Sequence, residues 1–188
     1  MVFLSTILVT TPDLQIGQLH KDKEDAIRES GLPGTFLRPG AFMTNAYQWI
    51  GTIKAEGVVF NPMGTGKAAP IAADDIAAVA VKALTTPSLV DEVFELTGGE
   101  LLSVAEQVEI LADVLGKPIR CLDIPTETAV QGLVRAGLPA QVAAAVGQSF
   151  EAVRDGRAAD LRDTVERVTG RKPRTFEAWV REHASRFA

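Results

Sequence analysis

Cysteine is almost absent. A single Cys121 cannot close a disulfide within the chain or build a multi-cysteine metal site, which suits a reducing compartment and predicts a cytoplasmic protein. Histidine is nearly as scarce: His20 and His183 lie far apart in sequence, and no metal site is expected from them. Basic charge is not in excess, because 19 Lys and Arg against 24 Asp and Glu give a formal charge of −5. With no basic stripe to track a phosphate backbone, the chain is not expected to bind nucleic acid. Long apolar runs are missing too. The opening "MVFLSTILV" has no cationic flank and is about half the length of a membrane span, so it predicts neither a signal peptide nor a membrane partner. Finally, no G-x-G-x-x-G follows a strand-like run. The nearest lookalike, "MGTGKAA" at 63–69, fails as a phosphate loop. Asn61 stands where its first glycine would be, and Ala68 replaces the hydroxyl that would hold magnesium.

What is present is an ordinary globular composition: 188 residues, 46% hydrophobic and 23% charged, enough for one core or two small lobes. Short β-rich apolar runs occur at Val2–Ser5, Thr35–Leu37, Val58–Phe60, Val93–Leu96 and Ile119–Leu122, with helical patterns between them. The stretch Ile16–Ser30 reads as a helix whose buried face carries Ile16, Leu19, Ala26 and Ile27, stopped by Gly31 and Pro33. Asp74 is placed to cap Ile76–Leu84, and Ser103 with Glu106 forms a capping-box pattern ahead of Val108–Leu115. From Thr126 onward the pattern is helical, over Thr126–Arg135, Pro139–Arg154, Arg157–Thr169 and Thr175–Phe187. Strand and helix in alternation predict an α/β fold with a parallel sheet and crossover helices. About three strands have crossover spacing, fewer than the five or six usual for such a sheet. The first begins at residue 2, so one of its edges is left without a partner from the chain. Such an edge predicts a homodimer or an exchanged strand through Val2–Ser5.

The stretch "IGQLHKDKEDAIRESGLPGTFLRPGAFMTNAYQW" resembles the middle of NmrA-like proteins, atypical members of the short-chain dehydrogenase/reductase superfamily. The resemblance runs on through "GTGKAAPIAADDIAAVAVKALTTP" and "VFELTGGELLSVAEQVEIL" to "VTGRKPRTFEAWVREHASRFA". It implies a Rossmann-like domain binding NAD(P), closed by a smaller, mostly helical lobe on the substrate side. On that pattern residues 1–99 are the later part of the Rossmann-like domain, and residues 100–188 the helical lobe interleaved with it. "VFLST" resembles the fifth strand, so the first four strands and the glycine-rich phosphate turn would precede residue 1. The chain is therefore expected to be N-terminally short by about 100 residues or more, and to bind NAD(P) weakly or not at all on its own.

The family's Tyr-x-x-x-Lys catalytic pair falls, by the same resemblance, on His20 and Glu24. An imidazole can donate a proton near neutral pH, and a carboxylate one turn away would orient it and raise its pKa. The plainer reading makes His20, Lys23, Glu24 and Arg28 a solvated helix face. The resemblance also implies that Ser5, Thr6, Pro39, Gly40, Ala41 and Phe42 line the nicotinamide side. Met43, Asn45, Tyr47 and Trp49 would form an apolar wall for a small uncharged organic ligand, or simply pack a following helix. Function stays divided at this point. It is an NAD(P)-associated oxidoreductase, or its truncated remnant, acting on a small carbonyl, enone or quinone; or a non-catalytic dinucleotide-linked regulator; or a cofactor-independent isomerase or cyclase using the lobe pocket.

Overall fold

The computed structural model describes residues 1–11 and 13–187. Seven strands, β1 to β7, span Val2–Leu4, Thr35–Pro39, Val58–Asn61, Lys67–Ala68, Val93–Leu96, Leu102–Ser103 and Arg120–Asp123. The helices α1 to α8 span Gln15–Glu29, Ile50–Glu56, Ala73–Thr85, Val104–Leu115, Thr126–Arg135, Ala140–Arg154, Thr164–Thr169 and Phe176–Phe187. Short 3₁₀ turns at Ile7–Thr10 and Met43–Trp49 follow β1 and β2.

Strands β1, β2 and β5 form a parallel three-stranded sheet in the order β1-β2-β5, with Phe3 opposite Phe36 and Leu37 opposite Phe94. Strand β2 is the central one, and its run Thr35–Leu37 is buried on both faces, as an unbroken apolar strand requires. Helix α1 covers one face, where the Arg28 guanidinium lies 4.4 Å from the Phe36 ring centroid. Helices α3 and α7 cover the other, in a core of Leu37, Ile76, Val79, Phe94, Leu96 and Val165. A second core joins Met43, Ala46, Ile53 and Val59 to Val108 and Leu111 of α4 and to Phe176, Trp179, Val180 and Phe187 of α8. The parallel pair β3–β7 and the antiparallel pair β4–β6 are separate from the main sheet.

The α/β architecture follows the periodicity, and three local expectations change. Helix α1 leaves Leu19 55% exposed and turns Glu24 wholly inward. Three partners on neighbouring groups satisfy that carboxylate, which the apolar pattern alone does not register. Helix α3 starts at Ala73, with Ala72 rather than Asp74 at the cap and no side-chain cap bond. Asp74 and Asp75 instead sit in its first turn, where carboxylates favour the helix dipole, and Asp75 accepts the Arg174 backbone N–H at 2.8 Å. Residues 157–163 are not helical: Gly156 takes φ 77° and ends the chain's helical course, and the Arg162 N–H is drawn to the Thr97 hydroxyl at 2.9 Å. The capping box of α4 forms as read, with Ser103 and Glu106 each bonding the other's backbone N–H.

Candidate functional site

A cavity of about 430 Å³ lies beyond the C-terminal ends of the parallel strands. That is where open α/β sheets bind ligands, because successive strand ends turn away and leave a crevice. After β1, Thr6 to Leu8 form one wall; after β2, Gly40, Ala41 and Phe42 form the floor; Thr97 follows β5. The turn at Pro39–Gly40 is pinned by a parallel bridge between Phe42 and Ile71, in which the Ile71 N–H donates to the Ala41 carbonyl at 2.8 Å and the Met43 N–H to the Ile71 carbonyl at 2.9 Å. The roof is α6, which aims Val146, Phe150 and Val153 inward. Its opposite side is made of small residues: a Cβ on Gly147 would meet Val130 of α5 at 2.6 Å. Two further contacts seat the roof. The Arg154 guanidinium donates to the Pro62 carbonyl, and Gly66 lies so close to the Val153 carbonyl that a Cβ there would overlap it.

The lining is dominated by apolar and aromatic groups, among them Ile7, Leu14, Phe42, Trp49, Met63 and Phe150. Its polar members are neutral, such as Thr6, Asn45, Gln48, Gln107 and Ser149, apart from Arg157, Asp160 and Arg162 at the exposed mouth. This composition suits an uncharged, flat organic molecule oriented by a few amides and hydroxyls.

Of the residues singled out from sequence, Thr6, Gly40, Ala41, Phe42, Asn45 and Trp49 line this cavity. Ser5, Pro39, Met43, Tyr47, His20 and Glu24 are not in its lining. Met43 is 1% exposed in the second core. Tyr47 packs against Trp179 and Phe187, with Arg186 over its ring. The stripe Val146, Phe150 and Val153 was missed. Its i, i+4, i+7 spacing is visible in the sequence, but nothing local shows that α6 folds back over a strand end more than 100 residues earlier.

Glu24 has a structural setting instead. Its carboxylate accepts from the Ser5 hydroxyl at 2.6 Å, from Arg38 Nε at 2.9 Å and Nη2 at 2.6 Å, and from Arg28 Nη2 at 2.9 Å. Burial pushes this carboxyl upward, but the hydrogen bonds from Arg38 and Ser5, the Arg38 charge and Arg28 outweigh it and hold the pKa below its ordinary value. The result ties α1 to the end of β1 and to β2. His20 is held below its ordinary pKa, first by desolvation and then by Lys23, with Glu24 opposing. The net direction is opposite to the sequence expectation, because desolvation and Lys23 outweigh the upward pull of Glu24. The His20 ring lies 6.3 Å from that of Phe3, and its buried Nδ1 has no hydrogen-bond partner.

Comparison with known proteins fits this geometry. The NmrA-like family model matches residues 17–180. An NAD(P)H azoreductase from Xenophilus azovorans is 37% identical over 98% of this chain and 65% of its own length. A (4-alkanoyl-5-oxo-2,5-dihydrofuran-3-yl)methyl phosphate reductase from Streptomyces griseus is 38% identical over the whole chain and 67% of its own length. Among solved structures, an NADPH-dependent quinone oxidoreductase from Escherichia coli, complexed with NADPH, superposes with a TM-score of 0.86 at 23% identity, over 98% of this chain and 65% of that one. The chain thus spans about two thirds of the length of these relatives. Its sequence, its parallel sheet and its strand-end cavity agree: the chain belongs to the NmrA-like family.

Proposed function

We propose that this chain forms the acceptor side of an NAD(P)H-dependent reductase, and that its acceptor is a conjugated compound such as a quinone or enone. The observation that carries the reading is the apolar cavity at the strand ends, floored by Gly40 to Phe42 and roofed by α6. The azoreductase and quinone oxidoreductase among its relatives support it. The residues present fit the ring end of such a cofactor: Thr6, Gly40, Ala41 and Phe42 offer a flat, largely apolar surface with a hydroxyl at its edge. A bound reduced nicotinamide would supply an electron pair with one hydrogen to the acceptor. The chain's own work is to orient the acceptor against Phe42, Trp49 and Phe150 and to exclude water behind it.

No carboxylic acid, imidazole, thiol or phenol lines the cavity among the described residues, apart from Asp160 at the mouth. An isolated ketone needs a proton as its strongly basic alkoxide forms. A quinone or enone yields a delocalised anion that can collect its proton from solvent, so conjugated acceptors suit this wall better. The same observation gives a second reading some weight, a regulator that binds a dinucleotide without turnover. The isomerase reading, which relies on His20 and Glu24, draws no support from their placement. Because the sequence lacks a glycine-rich pyrophosphate turn, the chain alone holds the cofactor weakly. Mixing the chain with millimolar NADPH and a naphthoquinone should give slow loss of the reduced-nicotinamide absorbance, with Phe42→Ala about tenfold lower in kcat/KM. Saturable quinone binding with no oxidation at any cofactor concentration would favour the regulator instead.

A further inference from the structure

The charged groups of this cavity are confined to its mouth, and their pairing bears on what enters. Arg157 is bound through Nη1 to Asp13 Oδ2 at 2.8 Å. Arg162 is bound through Nε to Glu95 Oε2 at 2.9 Å and through Nη2 to Asp160 Oδ2 at 2.6 Å. Two guanidinium groups therefore face three carboxylates: Asp160 lines the cavity with the two arginines, and Asp13 and Glu95 bind those arginines from outside the lining. Deeper in, the polar lining groups are neutral amides and hydroxyls. A phosphate or sulfonate arriving here would have to displace a carboxylate from an arginine or lie against Asp160 uncompensated. Resting on the acceptor-side reading above, we infer that Asp13 and Asp160 are specificity-determining residues: they neutralise the mouth arginines and restrict the cavity to uncharged conjugated ring systems, excluding phosphate- and sulfonate-bearing ones.

The residues involved hold the loop at 157–163 without reaching the fold's cores. Arg157, Arg162, Asp13 and Asp160 are each 39% exposed or more at the side chain. Replacing either aspartate by asparagine keeps the shape and removes one negative charge: Asp13→Asn releases Arg157, and Asp160→Asn leaves Arg162 held by Glu95 alone. At contact distance in a solvated mouth, one charge changes affinity for an anion by about fivefold.

The test uses no cofactor. Trp49 lines the cavity, while Trp179 is 3% exposed in the second core, so quinone quenching of tryptophan fluorescence reads the cavity, with Trp49→Phe as the control for the signal. The matched probes are 2-(hydroxymethyl)anthraquinone, which is neutral, and anthraquinone-2-sulfonate, which is not. The neutral probe should quench saturably, and the sulfonate should bind at least tenfold more weakly. D13N should tighten the sulfonate about fivefold and leave the neutral probe within twofold, and D160N should tighten the sulfonate about fivefold relative to the neutral probe. Equal affinity for both probes in the wild-type chain, or no gain for the sulfonate in either variant, overturns the inference and leaves the acceptor-side reading standing. Failure of both probes to quench, or quenching that persists in W49F, overturns that reading as well.

Discussion

Glu24 is where a single residue departs furthest from its local pattern. A carboxylate on a charged helix stretch reads as solvated; here it is wholly buried because Ser5, Arg28 and Arg38 all donate to it. Truncation by Glu24→Ala would leave Arg38, half-buried, without its partner, and breaking such a pair costs about 3–5 kcal/mol. Urea unfolding should show this as a lower midpoint at unchanged slope, whereas an unchanged midpoint would mean the network contributes nothing. The pH dependence has a definite sign. Glu24 and Glu106 both titrate lower in the folded chain, Glu106 at about 2, so their stabilisation is complete above the ordinary carboxylate value of 4.5 and drains away as pH falls through the folded values. Glu24→Gln should flatten the acid side of the stability curve. Only the Arg28 donor, four residues along α1, was legible locally; Ser5 follows β1 and Arg38 lies on β2. The strand-end positions Gly40 and Phe42 were legible, because the Pro39–Gly40 turn after an apolar run marks a strand end by itself, whereas Thr6 was reached only through the family resemblance.

Elements were read best where their signals are short-range. The α4 capping box is carried by Ser103 and Glu106, three positions apart, and forms as expected. Helix α5 begins and ends at Thr126 and Arg135, as its periodicity indicates. Pairings of two residues, such as Lys67 with Ser103 in β4–β6, leave no periodic trace and were invisible. So was the irregular course of 157–163, whose backbone answers to Thr97 rather than to its own helical pattern. The roof helix gives a test at this scale. Gly66→Ala places a methyl group into the Val153 carbonyl, so the loop before β4 or α6 must move. Overpacking of this kind costs about 1–3 kcal/mol. The thermal midpoint should fall and quinone quenching of Trp49 should weaken together; loss of stability with quenching intact would show that the contact seats the fold but not the cavity.

For the whole molecule, the consequential feature is the edge of the main sheet that is unpaired among the described residues. Strand β1 pairs with β2 on one side, and between its face and α3 a groove of about 380 Å³ is lined by Val2, Leu4, Leu37, Ala77, Ala80 and Leu84. Leu4 is 50% exposed and Leu84 67%. An apolar groove beside an unpaired strand invites a further strand, and we propose that a second copy of the chain supplies it through Val2–Ser5. The mass in solution at micromolar concentration should then be that of a dimer, and Leu4→Lys should halve it. A wild-type monomer removes the proposal. No helix among the described residues is long and apolar enough to cross a membrane.

The walls of the cavity are joined by contacts between distant parts of the chain: the Gln15 N–H with Gln148 Oε1, 133 residues apart, and Arg157 with Asp13, 144 apart. Closing loops of that length comes late, after local helices and neighbouring strands have formed. During synthesis the strand ends leave the ribosome first and wait, their apolar floor uncovered, until α6 has followed. The site is thus among the last features to form in a newly made molecule, and until then Phe42 and Trp49 lack the cover that α6 provides.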